Sequence, residues 1–254
     1  MNKMTMKRRL ILHVPHSSNH IPLREGYTVS DELIEAEILK LTDWYTDDLF
    51  HSNDLMVIAP FSRVFCDTER FADDTQEVMS KVGMGVCYER SDDGSLIRQV
   101  SKELKNTILQ DYYWKHHNKL RVAIEKELKV HDKALILDCH SFPSTPFVRD
   151  LDQTYNRPDF NIGTDSFHTS IELIELSEEF FNNRGLSMGI DAPYAGTIVP
   201  MNFYGKDSRV MSIMLEVNRK LYLDEPTNQR SENYENTKQI VQEYIQTLQT
   251  FLNN

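Results

Sequence analysis

Two histidines in this chain follow apolar runs of the kind that become buried strands. His16 comes after Leu10–Val14 and Pro15, and His140 comes after Ala134–Leu137 and the pair Asp138-Cys139. Imidazoles delivered from two separate strand ends, joined by one carboxylate, make an open zinc site with a position left for water. Zn2+ lowers the pKa of such a water from near 15.7 to about 7. A neighbouring carboxylate must then take the proton and hand it to the leaving nitrogen of an amide. Glu216 suits that task, because a carboxylate inside the apolar run Met214-Leu215-Glu216-Val217 is costly to bury unless it is paired or used. Asp138 lies two residues before His140, on the same side of a strand, where it can orient the imidazole from behind. An arginine can grip a substrate carboxylate through paired N–H donors.

Plainer readings cover the other titratable residues. His13 alternates with apolar neighbours inside its strand and reads as a packed core histidine. His116 and His117 fall in a long helical region, where packing or solvent accounts for them. Asp43 and Asp47 are four apart, and composition alone makes them a solvated helix face.

The elements that must position these groups alternate between strand and helix. Leu10–Val14, Leu55–Ala59, Val64–Cys66, Ala134–Leu137 and Val210–Val217 read as strands. A helix is expected from Ser30, with Leu33, Ile34, Ile38 and Leu41 on one face. Others are expected over 97–130, 171–182 and 233–252, and Asp43 to Phe50 reads as a turn or short helix. The stretches 83–93 and 143–163 read as loops, and 185–196 as short and broken. This alternation predicts a three-layer α/β fold with a central sheet, in a single domain spanning 1–254. Ligands of open α/β sheets collect beyond the carboxyl ends of strands, where His16, Asp67, Arg70, Asp138, His140 and Glu216 all fall.

A formal net charge of -11 repels nucleic acid and anionic membranes, so neither is expected as a partner. No apolar run approaches a membrane span. The start from Met1 to Arg9 is basic, but the apolar stretch behind it is only Leu10-Ile11-Leu12, too short for a secretory signal. Three scattered cysteines fit a reducing compartment, so a cytoplasmic address is expected.

At the same residues the sequence resembles the N-formylglutamate amidohydrolase family, distant relatives of the zinc carboxypeptidases and of aspartoacylase. Val14-Pro15-His16-Ser17, Thr42-Asp43-Trp44 with Leu49-Phe50, and Ser62-Arg63-Val64 through Asp67 and Arg70 are similar to family motifs. So are Leu137-Asp138-Cys139-His140-Ser141, Pro158 to Thr164, Tyr194 to Pro200 with Tyr204-Gly205, and Leu215-Glu216-Val217-Asn218-Arg219 with Leu221-Tyr222. The resemblance implies a phosphorylase/hydrolase-like α/β fold with a mixed central sheet, as in the zinc carboxypeptidases. It implies one zinc ion on His16 and His140, with Glu216 as general base and acid and Arg63 polarising the scissile carbonyl. It further implies that Arg70, Asn161, Tyr204 and Arg219 contact an N-acyl amino acid substrate such as N-formylglutamate, in amino-acid metabolism. The peptidases take a third ligand from a Glu three residues after the first His. Asn19 stands there in this chain, so Asp43 of the Asp-Trp motif is the choice and Asp47 the fallback. Departures from the family pattern are Ser18 for Gly, Glu69 for the Asn before Arg70, and Ala195-Gly196 for a Gly-Gly pair. The rival enzymatic reading is a related zinc deacylase or carboxypeptidase with another acylated substrate. The rival of another class is a binding module on the same fold.

Overall fold

A computed structural model describes residues 7–254, so most of the basic start read from Met1 to Arg9 lies outside the described residues. The central sheet has six strands: β1 (Ile11–Val14), β2 (Leu55–Ile58), β3 (Ala134–Phe142), β4 (Phe160–Gly163), β5 (Met188–Ile190) and β6 (Val210–Asn218). Their order is β2-β1-β3-β6-β4-β5. The first four in that order run parallel, while β4 is antiparallel to β6 and carries β5 parallel to itself. The fold is therefore mixed α/β with a mostly parallel central sheet flanked by helices. A small hairpin of β7 (Leu223–Asp224) and β8 (Gln229–Arg230) stands apart from it.

Strand periodicity of two sorts β1, β3 and β6 into two apolar faces. Leu10, Leu12, Leu135, Leu137, Cys139, Ile213, Leu215 and Val217 pack with α5 (Ile171–Asn182) and α6 (Tyr234–Asn253) in one core. Ile11, Ala134, Ile136 and Val210 face the other way, onto Leu120, Ala123 and Ile124 of α4 (Trp114–Val130). Following this second face toward the carboxyl ends, the apolar residues give way to polar ones. Ile11 is succeeded by His13, Ile136 by Asp138 and His140, and Ser212 and Met214 by Glu216. Three adjacent parallel strands thus deliver their chemistry on one side, at one end.

Three expectations are revised. Val64–Cys66 is not a strand: the N–H groups of Phe65 and Cys66 both turn back onto the Ser62 carbonyl, and the buried Arg98 guanidinium donates to the Phe65 carbonyl. Asp67 and Arg70 therefore sit on a buried loop rather than past a strand end. Phe160–Gly163, read as loop, is β4, because its backbone pairs with β6 on one side and β5 on the other. The long helix starts at 102 and is broken: α3 (Lys102–Ile108) passes through one π turn (Leu109–Tyr113) into α4. The remaining helices are α1 (Asp31–Leu41), where expected, and α2 (Thr46–Leu49), a single turn.

Candidate active site

The site begins with register. His13 and Asp138 are partners on β1 and β3, and His140 and Glu216 are partners on β3 and β6. Partners on adjacent strands leave the same face of a sheet, so these four side chains converge without help from any loop. Pro15 and His16 follow β1. The carbonyl of His16 accepts from the Asp43 N–H at 3.0 Å, which ties the start of the Asp-Trp segment to the first strand end.

His16, Asp43 and His140 come together, with donor atoms within 4.8 Å of one another and all three side chains buried. Both imidazoles present the same edge. The Nδ1 atoms of His140 and His16 lie 3.3 and 3.6 Å from Asp43 Oδ2. Their Nε2 atoms face away, that of His140 to Asp138 Oδ1 at 3.1 Å and that of His16 to Asp67 Oδ1 at 2.7 Å. A carboxylate behind each ring holds the proton on Nε2 and leaves Nδ1 as a lone-pair donor. The His16 Nδ1 atom is buried with no hydrogen-bond partner among the described residues. Two imidazole nitrogens and one carboxylate oxygen, with the imidazoles backed by acids, fit a zinc ion. Asp47, the fallback, is exposed on α2, away from this cluster.

Asp43 owes its pose to Arg219. The Arg219 guanidinium donates to Asp43 Oδ1 at 2.9 Å, to the Lys40 carbonyl at 2.8 Å and to Ser141 Oγ at 3.4 Å. Three of its five donors are engaged in this way, and Arg219 also lines the cavity. Burial opposes ionisation of Asp43, yet contacts with His140, His16 and Arg219 hold it well below the usual carboxylate range. Glu216 has the opposite balance. Burial pushes its carboxyl up, His140 and Arg63 only partly offset that, and the Asp43 charge adds to it. Its Oε2 atom has no partner among the described residues. A buried carboxyl with a raised pKa and a free oxygen is the form a proton-transfer group takes.

Arg63 and Arg70 flank Asp67. Arg63 donates to Asp67 Oδ2 through Nε at 3.1 Å and Nη2 at 2.9 Å. Asp67 also accepts from Tyr88 at 2.7 Å and from the Glu69 N–H at 3.0 Å. Burial opposes its charge, but Arg63 and His16 keep it well below the ordinary value. Arg70 approaches Asp67 only to 3.7 Å, and its Nε is without a hydrogen-bond partner among the described residues. It lines the cavity as the least committed guanidinium.

Asn161 does not line the cavity. Its amide donates to the Tyr194 carbonyl at 2.8 Å and accepts from the Ala192 N–H at 3.1 Å, so it anchors the 192–194 loop that does reach the site. Gly163 serves the same wall: a Cβ there would lie 2.1 Å from the Gly196 carbonyl, so any side chain would push that segment away. Tyr204 stands at the cavity mouth, stacked on His168.

Sequence reasoning missed a second cluster. His13 is no passive core residue: its Nδ1 lies 2.9 Å from Asp138 Oδ1 and 3.1 Å from Glu69 Oε1, and its Nε2 lies 2.8 Å from His116 Nε2. Burial would lower its pKa, but the hydrogen bond with Asp138 and the negative charge of Glu69 beside it prevail and raise it to about 9. His116 is driven the other way by burial and by His13, so the charged ring is His13 and it donates to His116. Glu69 thus turns inward to His13, and Arg70 keeps its charge for the cavity. The signal was present. The argument that flagged Glu216, a polar group in an apolar strand, applies equally to His13.

A mostly parallel α/β sheet with titratable side chains gathered beyond its strand ends is the arrangement of an α/β enzyme. Residues 8–223 match the profile of the family described as N-formylglutamate amidohydrolase. The chain belongs to that family, whose members are hydrolases acting on an amide. No curated protein matches the sequence directly. Among solved structures, the chain is similar to an N-formylglutamate amidohydrolase from Ralstonia eutropha JMP134, with a TM-score of 0.84 and 21% identity over 97% of this chain and 94% of that one. It is also similar to a gene product of Agrobacterium tumefaciens, with a TM-score of 0.67 and 14% identity over 97% of this chain and 92% of that one. These likenesses carry the fold. No helix among the described residues is long and apolar enough to cross a membrane.

Proposed function

We propose that this protein is a zinc-dependent hydrolase of the amide bond in N-acyl acidic amino acids such as N-formylglutamate, on a fold of the zinc-carboxypeptidase type. One observation carries the reading. Two imidazoles present Nδ1 to a single Asp43 oxygen, each backed by a carboxylate at Nε2, beside a buried Glu216 with an unpartnered oxygen. His16 Nδ1, His140 Nδ1 and Asp43 Oδ2 would hold the ion. When bound, Zn2+ lowers the pKa of water and polarises a carbonyl oxygen.

The chain's own groups do the rest. Glu216 takes a proton from the attacking water and passes it to the amine nitrogen as the amide C–N bond breaks. Arg63, fastened by two donors to Asp67, directs its remaining N–H groups into the cavity, where they stabilise charge on the carbonyl oxygen. Arg70 binds a carboxylate of the substrate. With N-formylglutamate the products are formate and glutamate. Asp67 and Asp138 keep the two imidazoles oriented, and Arg219 does the same for Asp43.

The test is Glu216→Gln, with metal content and turnover of N-formylglutamate measured on the same preparation. Zinc should stay near stoichiometric while kcat falls by about 10²-fold or more. Near-normal turnover would overturn the role of Glu216, and a wild-type protein that binds no zinc would overturn the metal reading.

A further inference from the structure

The cavity is larger than a formylated acidic amino acid needs. Its volume is about 870 Å3, in the range of roughly 300–1,000 Å3 that encloses most of a drug-sized ligand. The groups assigned above make up only part of its lining. Another part is α4, whose residues Trp114, His117, Asn118 and Arg121 recur at helical spacing and all line the cavity. The π turn before Trp114 sets that stripe, a local distortion frequent at functional sites.

Two hydrogen bonds fasten this wall to the Arg70 segment. Tyr113 donates to the Arg70 carbonyl at 2.8 Å, and His117 Nε2 donates to the Thr68 carbonyl at 3.0 Å. Phe71, next in sequence to Arg70, lines the same cavity as Trp114. Both remain open to water, Phe71 at 45% and Trp114 at 43%. Single exposed apolar residues need no explanation, but two large aromatics beside the substrate-binding arginine form a contact surface. The charged groups of the compartment are mostly committed: the Asp73 carboxylate, which also lines the cavity, accepts from Thr75 and Gln76. His117 is neutral, its pKa lowered to about 4 by burial and by His13. Arg121 is engaged by Glu125 and Asn118, and Glu69 is turned to His13.

We propose that this compartment binds an aromatic or large apolar group carried by the substrate beyond the carboxylate that Arg70 holds. The inference rests on the amide-hydrolase reading and widens its substrate class beyond acidic amino acids, to N-acyl amino acids with a bulky apolar side chain or N-acyl dipeptides with a bulky second residue. Both present the same chemistry to Phe71 and Trp114, and matched probes separate them.

The experiment is calorimetric binding to zinc-loaded Glu216→Gln protein, which reads the compartment independently of turnover. The side-chain pair is N-formylphenylalanine against N-formylalanine. The extension pair is N-formylglutamylphenylalanine against N-formylglutamylglycine. In at least one pair the aromatic member should bind at least about tenfold more tightly, which burial of roughly 60 Å2 of apolar surface suffices to give. Adding Phe71→Ala or Trp114→Ala should bring that ratio close to one. Ratios near one in both pairs, or ratios that survive both substitutions, overturn the proposal. Wild-type turnover of N-formylglutamate is scored separately, so loss of that activity refutes the parent reading and flat binding ratios refute only the second compartment.

Discussion

Replacing His13 by asparagine should remove a specific part of the pH dependence of folding. The ring is buried between Asp138, Glu69 and His116, and its pKa is raised from 6.5 to about 9. A basic group whose pKa rises on folding stabilises the native state fully below its unfolded pKa, and that stability is lost as pH climbs through the folded pKa. A shift of this size is worth on the order of 3 kcal/mol below pH 6.5. Between pH 7 and 9.5 about 2 kcal/mol of it should disappear, a sizeable share of a total stability near 5–15 kcal/mol. Urea unfolding of wild type and His13→Asn, at equal metal concentration and at pH 7, 8 and 9.5, measures it. The gap between the two proteins should narrow by that amount as pH rises, because groups common to both cancel. Parallel curves would refute the assignment of the charge to His13.

Three further outcomes follow from the same geometry. Asp138→Asn removes the carboxylate behind His140 and should weaken zinc binding by about 10–100-fold in a chelator competition; unchanged affinity would mean that the 3.1 Å contact does not orient the ring. Arg219→Met leaves Asp43 buried without its guanidinium and should cost about 3–5 kcal/mol in urea unfolding of the metal-free protein; a loss below 1 kcal/mol would contradict the pairing at 2.9 Å. Arg70→Gln should raise KM for N-formylglutamate by roughly 10–100-fold with kcat nearly unchanged; a fall confined to kcat would move Arg70 from anchoring the substrate to stabilising the transition state.

Much of this was legible in the residues. Near-continuous apolar runs along Leu10–Val14, Ala134–Leu137 and Val210–Val217 marked the three central strands, because a strand buried on both faces must be apolar on both. The cost of a carboxylate in Met214-Leu215-Glu216-Val217 marked Glu216 before any geometry was known. Motif order brought out His16, Asp43, His140, Arg63 and Arg70. Local pattern was silent or misleading where the deciding partner is remote. Phe65 looks like strand, yet its carbonyl is claimed by Arg98, 33 residues away. Arg219 looks like a substrate arginine, yet it reaches back to Asp43 across 176 residues. Asn161 belongs to the 192–194 loop and not to the cavity. His13 reads as core until the register of β1 on β3 sets it opposite Asp138. The sequence by itself determined which groups could carry charge, protons or a metal ion, and on which strands they ride, since those follow from side-chain type and period. Only the tertiary structure decided which partner each group faces: pairing energy depends on distance and desolvation, and neither exists until the strands are in register and the loops have closed over them.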